Sequence, residues 1–308
     1  MPRSVTTACL GFVISATLLA QSGPGLDRVY VTAKKQFVDV QTFVAEAARA
    51  DVLFLGEEHD NIQTHQVELA LLQALARQRG NIVVSLEMFE RDVQEPLAHF
   101  AMGHTSEAEF LAESRPWPQY ARDYKPIVDF AIAQQWSVVA ANVPRPVAAE
   151  VSKAGLMSLK GRPESERAWF ARDIKCPTGD HYFKRFRDAM GGGESHSTGG
   201  AAGGLDAATL QRYYEAQCLK DETMGESIAQ AYAGAAAGGA RPLVVSINGS
   251  FHSDFRDGTV ARAHRRMPGK RILVVTVMPV PDPMRFAPND EDRKRADYLI
   301  FTAGENKN

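Results

Sequence analysis

Apolar residues follow two rhythms along this chain. Short, nearly unbroken runs have the length and β-branched content of strands buried on both faces: VLFL (Val52–Leu55), IVVSLEMF (Ile82–Phe89), WSVVAANVPRP (Trp136–Pro146), LVVSINGSFH (Leu243–His252) and RILVVTVMPV (Arg271–Val280). Between the first two, Val67, Ala70, Leu71, Ala74 and Leu75 fall at i, i+3, i+4, i+7 and i+8, the spacing of one apolar helix face. That helix opens near Thr64–Gln66, and Asp60 or Asn61 is placed to cap its first turn. A second helical stretch, DGTVARAHRRM, lies between the last two runs.

Each strand–helix–strand succession is a βαβ unit, which needs parallel strands. The expected fold class is therefore α/β, with a mainly parallel central sheet built from two βαβ units. Segments at about 90–134 and 164–232 read as helices, and are expected to form a helical subdomain over one side of the sheet, inserted between the units. QTFVAEAARA (Gln41–Ala50) predicts a further helix and DYLIFTA (Asp297–Ala303) an edge strand. GGGESHSTGGAAGG (Gly191–Gly204) has nothing to bury, and predicts a flexible surface loop.

Composition narrows the function classes. The 308 residues are 44% hydrophobic and 23% charged, ordinary for a globular chain, and 35 Lys and Arg nearly balance 37 Asp and Glu. That balance gives no electrostatic reason to bind nucleic acid. At the N-terminus Arg3 precedes the apolar run Cys9–Ala20, and small residues Ala20 and Ser22 follow at cleavage-site spacing. Residues 1–23 are expected to be an export signal, the run being short for a membrane anchor, which is the competing reading. Cys9 precedes most of the run, where a lipid-acylation site would follow it, so a periplasmic or envelope protein without a lipid anchor is expected. Residues 24–308 would be a single domain in which Cys176 and Cys218 either pair in an oxidising compartment or stay as two buried thiols.

Two strands end in Gly-x-x-His, at Gly56–His59 and Gly249–His252. Chance alone supplies roughly 0.6 such tetrapeptides among 24 glycines and 8 histidines, and a third copy, Gly193–His196, sits in the glycine-rich stretch. Placement separates the first two from noise, because each histidine lies outside the carboxyl end of a parallel strand, where open α/β sheets bind ligands. Glu57, Glu58, Glu87, Asn142, Arg145 and Asn248 reach the same edge. A carboxylate after IVVSL must be paired, metal-bound or facing a pocket, because an unpaired buried charge is too costly. His59, His252, Glu57 and Glu87 are thus candidate ligands of a divalent ion such as Zn or Mn. Glu57 or Glu87 would be the general base of a metal-dependent hydrolase, and structural capping by the histidines is the alternative. Arg145 is placed either to hold an anionic substrate or to neutralise Glu87.

Taken in order, FLGEEHDN, VSLEMFERDVQ, WPQYARDYKPIVDFA, AANVPRPVAAEVS, YYEAQCLKDETMGESI and INGSFHSDF resemble the ChaN-like haem-binding uptake proteins of the wider Tiki-like superfamily, from about Val40 to Val280. The resemblance implies haem as cofactor, a role in iron acquisition at the cell envelope with envelope haem-transport partners, and a homodimer enclosing two stacked haems with tyrosine on iron. On that basis Tyr182 and Tyr213 are candidate iron ligands and His181 a candidate helper, a phenolate being a hard ligand suited to ferric haem. Superfamily relatives also include metal-dependent proteases with paired Gly-x-x-His motifs, whose pattern His59, His252, Glu57 and Glu87 match.

Overall fold

The structure, a computed structural model, describes residues 26, 28–191 and 205–304. The signal-like segment and nearly all of the glycine-rich stretch, with its Gly193–His196 motif, lie outside the described residues. Eight strands form one sheet: β1 (Val29–Val31), β2 (Gln36–Val38), β3 (Val52–Glu57), β4 (Ile82–Glu90), β5 (Ser137–Asn142), β6 (Leu243–Gly249), β7 (Ile272–Val280) and β8 (Tyr298–Ala303). Their order is β2-β1-β8-β7-β3-β6-β4-β5, and the six from β8 to β5 pair in parallel. The mainly parallel α/β sheet expected from the apolar runs is present.

Strand β8 is not at the edge. It pairs parallel with β7 on one side and antiparallel with β1 on the other, and β2 closes that flank. The strands that displace it are three residues each, too short to show an alternation that pattern reading can detect.

Among the described residues there are eleven α-helices: α1 (Val40–Ala47), α2 (Ile62–Ala76), α3 (Gln94–Ala101), α4 (Glu107–Ser114), α5 (Tyr120–Asp123), α6 (Lys125–Ala133), α7 (Arg145–Ala154), α8 (His181–Ala189), α9 (Ala207–Ala236), α10 (Gly258–Arg266) and α11 (Asp292–Arg295). Helix α2 begins where Asn61, with extended backbone, accepts a side-chain hydrogen bond from the Thr64 N–H. Alternation along the strands splits the core. Leu53, Leu55, Leu86 and Ile247 pack with residues of α1 to α6, whereas Val52, Phe54, Val244 and Val274 pack with Ile228 and Tyr232 of α9 and Val260 and Ala263 of α10. Helix α7 packs against α9 through Val147, Val151 and Leu219, and α8 does so through Tyr182 and Tyr214. The helices between the βαβ units therefore do not form one body over one side. Those at 94–133 lie on one face and those at 145–236 on the other, because each apolar strand has two faces to cover.

Cys176 and Cys218 form a disulfide, with their Cα atoms 5.8 Å apart. It ties the segment before α8 to the middle of α9. None of the helices is long and apolar enough, over the described residues, to cross a membrane.

Candidate functional site

Parallel pairing aligns the carboxyl ends of four adjacent strands. Glu57 of β3 is in register with Gly249 of β6, and Glu90 of β4 with Asn142 of β5, after an irregularity between Leu86 and Glu90. These ends open into a cavity of about 640 Å³, within the usual range for small-molecule sites. His59, Glu87 and His252 lie at its polar end; Trp117, Pro118, Val143, Ala148, Ala149 and Ala216 give it apolar walls, and Arg145 and Lys220 add two cations.

Gly249 is needed here for space. A Cβ at that position would come within 2.8 Å of His59 Nε2, and the Gly249 N–H donates to Glu87 Oε2 at 2.8 Å. Glu87 Oε1 faces His252 Nε2 at 3.4 Å, and His252 Nδ1 binds Asp221 Oδ1 at 2.7 Å. Asp221 also accepts from Thr259 at 2.8 Å and from the Tyr182 hydroxyl at 2.6 Å. Burial alone would push the His252 ring down, but Glu87 and Asp221 overcome it and raise the ring to about 10. Burial pushes Glu87 up, and the neighbouring His252 outweighs it and holds the carboxyl well below its usual range. Near neutral pH this is a fixed ion pair. A ring that keeps its second proton up to about pH 10 does not serve as a general base at pH 7.

Glu57 is at the strand end but not in the cavity wall. Its Oε1 accepts from the Tyr124 hydroxyl at 2.6 Å and from His59 Nδ1, which places it behind the His59 ring. Burial would lower His59, and the bond to Glu57 reverses this and raises it. Trp117 stands edge-on to the same ring, with centroids 4.8 Å apart. Behind Glu57 lie His65 and Glu68 of α2, both buried. His65 Nδ1 approaches Glu68 Oε2 at 3.0 Å and Glu57 Oε2 at 3.6 Å. Burial, then Glu57 and Asp123, push the Glu68 carboxyl well up.

The remaining sequence-derived residues divide. Asn142 lines the cavity and donates to the Glu87 carbonyl at 3.2 Å. Arg145 also lines it, but its Nε pairs with Glu90 at 2.8 Å, so the carboxylate it neutralises is Glu90 and not Glu87. The reach of α7's first residue decides this, because β4 runs past Glu87 to Glu90. Glu58 accepts from Ser250 at 3.4 Å near the rim, and Asn248 is fully buried with its amide on the Gly249 carbonyl. The four proposed metal ligands do not converge on one point: His59 turns to Glu57, and His252 to Asp221 and Glu87. Among the described residues, the His and carboxylate group whose ligand atoms all lie within 4.8 Å is Glu57, His65 and Glu68.

Of the tyrosines, Tyr182 is buried with its hydroxyl committed to Asp221, and burial followed by Asp221 pushes that hydroxyl well up. His181 pairs with Asp257 at 2.7 Å on the outside of α8. Tyr213 is 37% exposed on α9. It precedes Ala216 and Lys220, both cavity-lining, by three and seven residues, so it lies on the cavity-facing stripe of α9, one turn beyond the wall.

Asp221, Glu68 and Tyr124 carry none of the strand-end signal that singled out the others. Two of them did have a signal available. Glu68 stands on the α2 stripe with Leu71, Leu72 and Leu75, and Asp221 on the α9 stripe with Tyr214, Cys218, Gly225 and Ile228. A charge inside an apolar stripe must have a buried partner.

Comparison with known proteins agrees with this architecture. The chain is 18% identical to ChaN of Campylobacter jejuni, solved with cofacial haem bound; the two structures superpose with a TM-score of 0.66 over 90% of this chain and 97% of that one, a likeness of fold. Protein RETICULATA-RELATED 5, a chloroplastic protein of Arabidopsis thaliana, is 25% identical over 274 residues, 82% of this chain and 34% of the relative, so the chain spans about a third of that relative's length. Residues 43–263, well over half the chain, match the family described as haem-binding uptake, Tiki superfamily, ChaN, and the chain belongs to that family.

Proposed function

We propose that the chain is an exported haem-binding protein that captures or hands on haem in iron acquisition, acting as a homodimer. The observation that carries this is the cavity-facing stripe of α9, which presents an exposed phenol, Tyr213, beyond an apolar wall with two cations. The donor set fits ferric haem. Tyr213 would be the iron ligand, since its side chain is exposed, while the Tyr182 hydroxyl is spent on Asp221. Arg145 and Lys220 would pair with the propionates, and Trp117, Pro118, Val143 and Ala148 would take apolar ring surface. Bound haem supplies an iron that accepts a hard oxygen ligand. His59, its ring fixed by Glu57 and Trp117, would assist from the polar end of the cavity.

Family membership supports haem as the ligand. The Campylobacter protein binds haem cofacially, and an iron ligand on an exposed stripe suits the same face-to-face use by two copies of this chain. The Cys176–Cys218 disulfide supports an oxidising compartment, hence export. The test is hemin titration of the purified chain, followed by Soret absorbance and sedimentation velocity. A saturable shift with dimer formation is expected, weakened at least about tenfold in Tyr213→Phe and little changed in Tyr182→Phe. An unsaturable spectrum in the wild type would end the haem reading, and a shift that Tyr213→Phe leaves intact would end the assignment of the ligand.

A further inference from the structure

Three buried side chains on the far side of His59 form a second centre. Glu57, His65 and Glu68 are 1%, 4% and 0% exposed, and none of them lines the cavity. His65 Nε2 lies 3.1 Å from the His59 carbonyl and 3.7 Å from Asp123 Oδ2. A carbonyl oxygen only accepts, so Nε2 carries the proton in that bond. In the neutral ring Nδ1 is then a lone pair, and it points at two carboxyl groups, 3.0 Å from Glu68 Oε2 and 3.6 Å from Glu57 Oε2. Glu57 Oε2 and Glu68 Oε1 are buried with no hydrogen-bond partner, although both carboxyl groups face this same point. Three sets of lone pairs converging in a dry interior are stabilised by a positive charge between them, a shared proton or, more completely, a metal ion that all three can bind at once.

We propose that Glu57, His65 and Glu68 bind one divalent first-row metal ion of the Zn²⁺ or Mn²⁺ class, at a site separate from the cavity. The geometry is near what such an ion needs. Zinc bonds of about 2.0–2.2 Å put tetrahedral ligands about 3.4 Å apart, bracketed by the 3.0 and 3.6 Å separations at His65 Nδ1. One imidazole and two carboxylates are a borderline-to-hard donor set, suited to these ions and not to soft ones. The His59 carbonyl on Nε2 is the orienting partner that metal-bound histidines usually have. Asp123 and its partner Arg122 stand just outside, with Asp123 beyond the far side of the ring. His59, which lines the cavity, holds Glu57 Oε1 from the front and separates the two sites.

This site does not depend on the haem reading, and its test uses no haem. The full chain, stripped with a chelator and dialysed, is titrated with Zn²⁺ against a chromophoric competitor and with Co²⁺ by visible absorption. One equivalent is expected to bind, at least about a hundredfold more weakly in Glu68→Gln and His65→Gln, and within about threefold of the wild type in His252→Gln. Folding of each variant is checked by circular dichroism. X-ray absorption of the wild-type chain loaded with one equivalent of Zn²⁺ asks the same question without any substitution: one imidazole in an oxygen shell supports the site. Absence of stoichiometric uptake, undiminished uptake in both α2 variants, loss of uptake in His252→Gln, or a shell with two imidazoles would overturn it.

Discussion

His252 shows how one residue is held by opposing terms. Burial favours the neutral ring, yet Glu87 and Asp221 on its two nitrogens are strong enough to keep it charged to about pH 10. A folded value above the ordinary 6.5 means that the stabilisation is complete below about pH 6.5 and is lost as pH rises through the folded value. His252→Gln leaves Glu87 and Asp221 facing each other's side of an uncharged amide. It is expected to cost about 3–5 kcal/mol at pH 6, the usual loss when one partner of a buried pair is removed. The gap to the wild type should narrow steadily between pH 7 and 10. Urea unfolding at pH 6, 8 and 10 measures it, and a gap that stays constant over that range would show that packing, not charge, is what His252 contributes.

Among the elements, α9 has the most demanding job, since it backs the sheet, carries the cavity wall and meets α10. Gly225 is where α10 comes closest: a Cβ there would sit 2.7 Å from Arg262 Cβ and 3.0 Å from the Ala263 nitrogen. Gly234, in the same helix, has nothing within 4 Å of such a Cβ. The same substitution should therefore have opposite signs at the two positions. Gly225→Ala forces the helices apart and is expected to cost about 1–3 kcal/mol, while Gly234→Ala should gain about 0.5–1 kcal/mol from helix propensity alone. Thermal unfolding of the two variants beside the wild type checks this, and equal shifts would mean that the α9–α10 contact yields more easily than its spacing implies. The elements themselves were unevenly legible. Long apolar runs such as Leu243–Ile247 carry an unmistakable strand pattern, and the 3.6 spacing of Val67 to Leu75 a helix. Val29–Val31 and Gln36–Val38 are strands because β8 offers an unpaired edge, a fact of tertiary pairing that three residues cannot encode.

At the scale of the molecule, a single parallel sheet sends its strand ends to one rim, which is why His59 and His252 could be placed together from two short motifs 193 positions apart. What sat behind that rim was less legible. Whether Glu57 faces the cavity or backs away toward His65 depends on side-chain packing against Tyr124 and Trp117, contributed by a distant part of the chain. The common rim has a further consequence. The cavity is walled by β4, β5, α7 and α9 and by Trp117 and Pro118 between α4 and α5, so a ligand there clamps elements from both faces of the sheet and should stabilise the fold as a unit. Linkage sets the size: a ligand at a hundred times its dissociation constant adds about 2.7 kcal/mol, roughly 4–5 °C in the unfolding midpoint of a chain this long. Hemin should produce such a rise, increasing with concentration. Iron-free protoporphyrin IX keeps the apolar ring and both propionates but offers Tyr213 nothing to ligate, so its rise should be smaller. In Tyr213→Phe the hemin rise should fall to that of the iron-free ring, because the remaining contacts, from Trp117, Val143, Arg145 and Lys220, are the same for both. Differential scanning calorimetry with the two porphyrins and the two proteins decides it. Equal rises for hemin and protoporphyrin in the wild type would mean that the cavity holds the ring without any bond to its iron.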